Sequence, residues 1–360
     1  MQAMARIICA PWRWVAGIAL LLAGQAIAAP DAAPVPGAEW ERIASPEAVG
    51  WSTPKLALAR EHSKGLDTAA VMLVVNGKVL DEWGRTQDRY NIHSIRKSIL
   101  SGLIGIAVGE GKMRIDATLG ELGIDDNAPA LTDAEKRATV GDLLKARSGV
   151  YHPALYESPA MAAARPARGS HAPGSFWYYN NWDFNALNTI YEAQAKTGFY
   201  TAFVDRLAKP LQMQDWRAQD GEYFRGKDSI HAAYPMHMSA RDLARFGLLY
   251  LRGGQWGGKQ LIPAAWIQQS LLSYSDRGAD GGYGYMWWVE VEGRHLPSVR
   301  MPAGSFSAQG HGVHLVVVVP AYDLVVVHRV DTEDPMNQVN DEQFGGLLKM
   351  ILDARLAPKP

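Results

Sequence analysis

From residue 68 the chain reads "TAAVMLVVNGKVLDEWGR": an apolar run, an Asn76-Gly77 pair, then a second run. β-Branched runs on either side of Asn-Gly predict a tight hairpin. Residues 95–109, "IRKSILSGLIGIAVG", are apolar almost all round and predict a buried, central helix. Short helical patterns broken by Asp, Pro and Gly then run to about residue 215 and include "FNALNTIYEAQAKTG" and "YTAFVDRLAKPLQM". "MSARDLARFGLLYLRGG" predicts a helix capped by Ser239 and stopped by Gly. Strand patterns return in "YGYMWWVEVEG", "HGVHLVVVVP" and "DLVVVHRVD", and a last helix is expected over about 339–356. Strands at both ends of a helical block predict an α/β fold of the α+β kind. Its single, mostly antiparallel sheet is built from both chain ends and flanked by helices, with an inserted helical subdomain. The expected division is 30–115 with 225–360 for the sheet domain and 116–224 for the helical subdomain.

Composition changes this picture at one end. Arg6 and Arg13 precede "VAGIALLLAGQAIAA", which ends in small residues with Ala26 and Ala28 in an A-x-A arrangement. That is the layout of a cleaved signal peptide over 1–29, and the run is short for a membrane span. The expectation is a periplasmic or secreted protein with no stable membrane anchor after cleavage. Cleavage there removes the one cysteine, Cys9, and with it any disulfide or Cys-based metal site. Lys plus Arg number 36 against 37 for Asp plus Glu, a balance that gives no support to nucleic-acid binding.

Candidate chemistry sits at the head of the buried helix. Ser94 and Lys97, three apart, share a helix face. Desolvation lowers a Lys pKa, so a buried Lys97 is able to accept the proton of a neighbouring hydroxyl. Ser-x-x-Lys alone is a weak signal, and "STPK" at Ser52–Lys55 is a second copy. That copy has no apolar helix behind it and reads as a helix start with a solvated lysine. Two further stretches add to Ser94. "PGSFWYYNNWDF" places Tyr179, Asn180 and Asn181 before a helix, where a phenol could pass a proton and an amide could hold a carbonyl. "GSFSAQGHGVHL" is a Gly-punctuated strand start, where small residues let a backbone approach a ligand.

In this order and spacing the three stretches resemble the serine β-lactamase and penicillin-binding protein superfamily, in its class C-like branch. That branch includes esterases, D-stereospecific peptidases and 6-aminohexanoate-dimer hydrolases. The resemblance implies a β-lactamase/transpeptidase-like fold and a serine hydrolase working through an acyl-enzyme. It implies Ser94 as nucleophile, Lys97 as general base, Tyr179 as second proton-transfer group and Asn181 as the last residue of a Tyr-x-Asn element. Gly310 and the backbone N–H of His311, with that of Ser94, are the implied oxyanion site.

One element departs from the pattern. Where β-lactamases carry Lys-Thr-Gly, this chain has Ala308-Gln309-Gly310, so the cation for a β-lactam carboxylate is absent. His311 is a possible substitute, one position off. The expected substrate is therefore a small-molecule ester, amide or peptide, with no cofactor. The alternatives are a true β-lactamase or D-alanyl-D-alanine carboxypeptidase, and a non-catalytic binding protein on the same scaffold. No metal is expected: no His-Glu-x-x-His occurs, and His311 and His314 on one strand would face opposite sides. Arg168 and His171, close before the Tyr179 stretch, are candidates for the pocket wall.

Overall fold

The computed structural model describes residues 33–357, so the expected leader lies outside the described residues. The hairpin forms as its sequence predicts, from β1 (Thr68–Val75) and β2 (Lys78–Gly84). Asn76 and Gly77 both take positive φ, 52° and 73°, as a two-residue turn of this twist requires. Tyr90–Asn91 (β3) pairs with His237–Met238 (β4) in a separate two-stranded ladder. Six of the later strands belong to the main sheet: β5 (Ser275–Asp276), β6 (Gly282–Tyr283), β7 (Trp288–Val289), β8 (Phe306–Gly310), β9 (His314–Val319) and β10 (Leu324–Val330). With the hairpin they make one antiparallel sheet of eight strands, in the order β2-β1-β10-β9-β8-β7-β6-β5. Residues 116–224 supply no strand to this sheet.

Period-two alternation sorts the strand residues between two apolar layers. Val71, Leu73 and Val75 of β1 pack with Leu56 of α1 (Thr53–Ser63) and with Phe344 and Leu348 near the C-terminus. Ala70, Met72 and Val74 face the opposite layer, which holds the longer helices α2 (Ile95–Gly109), α3 (Asn181–Ala195) and α4 (Ala240–Leu251). The C-terminal helix α5 spans Asp341–Asp353. Ser239 caps α4 by accepting from the Asp242 N–H, as expected. Ser52 caps α1, and the exposed Lys55 donates to the Asp353 carbonyl at 2.9 Å, so the second Ser-x-x-Lys is a helix start.

Two expectations are corrected. "YGYMWWVEVEG" is not one strand: β6 and β7 are separated by a bend at 284–287, with Met286 at φ 59°. The bend buries Tyr285, Met286 and Trp287 in succession, which a straight strand would send to alternate faces. Between 110 and 180 the helices are also shorter than the periodicity suggests, chiefly Val140–Leu144 and Pro159–Ala163. Their polar caps, the Thr139–Asp142 capping box and Ser158, start them, but the apolar stretch behind each is too short to extend them.

The helix α2 passes so close to Trp266 that a Cβ on Gly105 would lie 2.2 Å from its indole. Gly105→Ala should therefore lower the stability to urea by about 1–3 kcal/mol, despite the better helix propensity of Ala. An unchanged or raised urea midpoint would show that the indole moves aside at no cost.

Candidate active site

Ser94 is the residue before the first turn of α2, and Lys97 lies one turn on. The Lys97 Nζ is 2.7 Å from the Ser94 Oγ. Lys97 is only 2% exposed, and no carboxylate forms an ion pair with it among the described residues. Its Nζ lies instead over the rings of Tyr179 and Phe184, 4.9 and 5.1 Å from their centroids. Burial pushes the ammonium well below its ordinary pKa, and the neighbouring Arg96 guanidinium pushes it further the same way. A neutral amine is what can accept the Ser94 proton.

Arg96 is a second buried cation in the same turn. Its Nη1 donates to the His93 carbonyl at 2.7 Å, and its guanidinium sits 5.2 Å from the centroids of both Tyr156 and Tyr234. The preceding loop is pinned as tightly. The Asn91 side chain accepts from the His93 N–H at 2.8 Å and donates to the Tyr156 hydroxyl at 2.9 Å. His93, immediately before Ser94, takes a left-handed φ of 47°.

Tyr179 reaches the same place from the loop before α3. The Asn180 side chain caps that helix by accepting from the Asp183 N–H at 2.9 Å. Burial pushes the Tyr179 phenol up to about 12, and the adjacent Ser94 hydroxyl pulls it part of the way back. Below it, burial raises the Asp183 carboxyl to about 8 against the pull of the Ser148 hydroxyl, so Asp183 is largely protonated near neutrality. The expected Asn181 is 3% exposed and lies on α3 beneath the site. It donates to the Tyr156 carbonyl, and its Oδ1 has no hydrogen-bond partner among the described residues. The structure does not bring Asn181 to the cleft wall.

The third side is the end of β8. A Cβ on Gly310 would stand 2.5 Å from the Ile92 carbonyl oxygen, so only glycine fits there. His311 opens the turn from β8 to β9, is exposed, and meets the His93 ring edge-on at 5.6 Å. His314, the first residue of β9, is buried and also lies against His93, at 5.2 Å. The two are therefore not on one strand with opposite faces, because a turn separates them. Among the described residues no group of three His, Cys, Asp or Glu is disposed to hold a metal ion. His328 braces the turn from below: its Nδ1–H donates to the Val313 carbonyl at 2.7 Å while Nε2 accepts from Thr68 at 2.9 Å.

These groups line a cleft of about 870 Å³, whose wall includes His93, Ser94, Tyr179, Trp288, Gln309, Gly310 and His311. Among the described residues the wall also carries Asp334 and Asp341 but no Lys or Arg. Ala308, which stands where the resemblance expects a lysine, is fully buried in the core and does not reach the cleft. Arg168 and His171 are elsewhere. Arg168 grips Glu135 with two nitrogens at 2.9 and 2.7 Å, and His171 stacks on Phe176. Sequence reasoning missed His93, Arg96 and Thr332. Only Arg96 left a usable signal, as a second cation in an apolar run.

The Beta-lactamase family model matches residues 55–344. An uncharacterized protein of Alkalihalophilus pseudofirmus is 23% identical over 297 residues, covering 72% of this chain and 82% of its own. Among solved structures, a "Putative 6-aminohexanoate-dimer hydrolase from Bacillus anthracis" superposes with a TM-score of 0.62 at 20% identity, covering 82% of this chain and 80% of that one. A class C β-lactamase superposes with a TM-score of 0.63 at 14% identity, covering 89% and 100%.

Lys97 also has a consequence for stability. Its pKa is lower folded than unfolded, so between that lowered value and about 10.4 the unfolded chain binds the extra proton. Stability from this group therefore rises with pH across that window, by up to ~1.4 kcal/mol per pH unit. Lys97→Met, which keeps the volume, should be more stable than wild type at pH 7, with an advantage that narrows toward pH 10. Urea midpoints at pH 7, 8.5 and 10 measure it; an advantage constant with pH would mean that the amine's charge is not the cost.

Proposed function

The chain belongs to the beta-lactamase family, and on that premise we propose that it is a serine hydrolase cleaving uncharged esters or amides through an acyl-enzyme on Ser94. The observation that carries the reading is the buried, carboxylate-free Lys97 amine 2.7 Å from the Ser94 Oγ. Ser94 Oγ attacks the substrate carbonyl and gives its proton to Lys97. The backbone N–H groups of Ser94 and His311 receive the oxyanion of the tetrahedral intermediate. Tyr179, whose phenol stays protonated at neutral pH, hands a proton to the departing oxygen or nitrogen and is refilled from Lys97. Water then attacks the ester on Ser94 and gives up its proton to the same pair, which passes it to the Ser94 Oγ as the Oγ–acyl bond breaks and the acid is released.

The cleft's charge supports the choice of substrate. Asp334 and Asp341 stand on its wall, no Lys or Arg among the described residues does, and the place of the missing lysine is sealed by Ala308. A carboxylate-bearing β-lactam gains no charge-assisted hydrogen bond there, whereas Trp288 and Met161 offer apolar surface to an acyl chain.

A fluorophosphonate should label wild-type protein and leave Ser94→Ala unlabelled, and that variant should lose roughly four orders of magnitude in turnover. The kcat/KM for p-nitrophenyl butyrate should exceed that for benzylpenicillin by at least about tenfold. Faster turnover of the penicillin would turn the assignment to a true β-lactamase, and a protein inert to both probes would be a binding scaffold.

We also propose that the enzyme acts outside the cytoplasm, on the strength of the Arg-flanked apolar run ending in Ala26 and Ala28. N-terminal sequencing of protein exported by a Gram-negative host should find a mature chain beginning near residue 29 or 30; recovery of the chain only in the cytoplasmic fraction, with Met1 intact, would remove the idea.

A further inference from the structure

Behind the cleft wall runs a chain of hydrogen bonds that the proposed chemistry does not use. It begins at Arg329, which is fully buried on β10 with no acidic partner among the described residues. Its guanidinium is met by backbone carbonyls instead: Nη1 donates to Met238 at 2.6 Å, and Nη2 to Tyr90 and Asn91 at 3.0 and 3.2 Å. Its Nε donates to His314 Nδ1 at 2.9 Å. Arginine has no acceptor, so this contact fixes His314 Nδ1 as bare and puts the proton of the neutral ring on Nε2. That Nε2 lies 3.2 Å from Thr332 Oγ1, which in turn lies 2.9 Å from His93 Nε2.

The direction of each bond follows from the one before. Thr332 accepts from His314, so its one hydroxyl proton is free for His93, which is the other partner it has among the described residues. His93 Nε2 is then the acceptor, and the ring proton must sit on Nδ1. His93 is held neutral as well: burial, with His311, Arg96, Arg329 and His237 around it, pushes it down to about 3. His93 forms part of the cleft wall beside Ser94, and its Nδ1 has no hydrogen-bond partner among the described residues. The left-handed backbone at His93 further restricts where the ring can point.

We propose that the Arg329–His314–Thr332 chain sets His93 as a fixed, uncharged Nδ1–H donor that binds a second carbonyl of the substrate, near the one under attack. The preferred acyl group would then carry an uncharged acceptor, such as an internal amide, beside the scissile bond. A neutral donor suits a carbonyl, where a lysine would suit a carboxylate. This rests on the hydrolase reading, and it makes His93 a specificity-determining residue.

The test compares two esters of matched length, p-nitrophenyl hexanoate and the p-nitrophenyl ester of N-acetyl-β-alanine, which differ by the internal amide. In His93→Ala the preference for the amide-bearing ester should fall about tenfold relative to wild type. His93→Asn should restore it to within about threefold, because the Asn amide places an N–H near the Nδ1 position and Asn tolerates left-handed φ. Thr332→Val should lower the preference and Thr332→Ser should not. Long-range ¹H–¹⁵N spectra of the resting protein at pH 7 should show His93 with its proton on Nδ1 in wild type, and that tautomer weakened in Thr332→Val. An unchanged preference in His93→Ala, no recovery in His93→Asn, or a proton on Nε2 would overturn the proposal. A wild-type protein that formed no fluorophosphonate adduct would remove the hydrolase reading and the substrate role of His93 together, while the spectra would still decide the tautomer.

Discussion

Two basic side chains, Arg96 and Lys97, are buried side by side in the first turn of one helix, and among the described residues no carboxylate pairs with Lys97. Carrying both charges there would be costly, since an ionised group removed from water needs either a partner or the loss of its charge. The protein resolves this unequally. Arg96 is given the His93 carbonyl and the faces of two tyrosines. Lys97 is given only ring faces and a serine hydroxyl, so its amine is the group that gives up its charge. Much of the site serves that inequality. Phe184 and Tyr179 close over the amine, and the approach of Gly310 to Ile92 brings the end of β8 against the loop before Ser94.

The same logic recurs around the turn between β8 and β9. His314 and His328 are buried and neutral, and each has a ring nitrogen whose role is set by an unambiguous partner: the Arg329 Nε–H for one, the Val313 carbonyl for the other. Burial alone would leave two tautomers available to each ring. The fixed partners select one, so the turn that carries the His311 N–H is anchored on groups with no alternative arrangement. Rigidity of this kind is what the oxyanion site proposed there needs, because its donors must already point at the charge when it appears.

What the sequence made legible were the features written in neighbouring residues. Strand alternation, the Asn76-Gly77 turn, the Ser52 and Ser239 caps and the Ser94–Lys97 helix face are all local. Features depending on distant pairs were not legible. Nothing near His93 announces Thr332, which lies 239 positions away. The aromatic run at 283–288 has the composition of a strand, yet Met286 must bend to satisfy the Ser98 hydroxyl and to let its neighbours into the core. Arg168 and His171 were close in sequence to Tyr179, but the Glu135 carboxylate and the Phe176 ring draw them elsewhere. The Ala308 departure was visible as a missing lysine, whereas its burial is a property of the sheet register that the string of residues does not show.

The position of Arg329 has a temporal meaning. β1 and the loop before Ser94 are made early, but their hydrogen-bonding partner β10 ends at residue 330 of 360. Until the ribosome has delivered that strand, the Tyr90 and Asn91 carbonyls have no guanidinium to hold them, and β1 has an open edge. A topology closed by its two extremities folds late and slowly. The nascent polypeptide is therefore a latent enzyme: the Ser94–Lys97 pair is synthesised early, yet the loop in front of it is held only once Arg329 arrives.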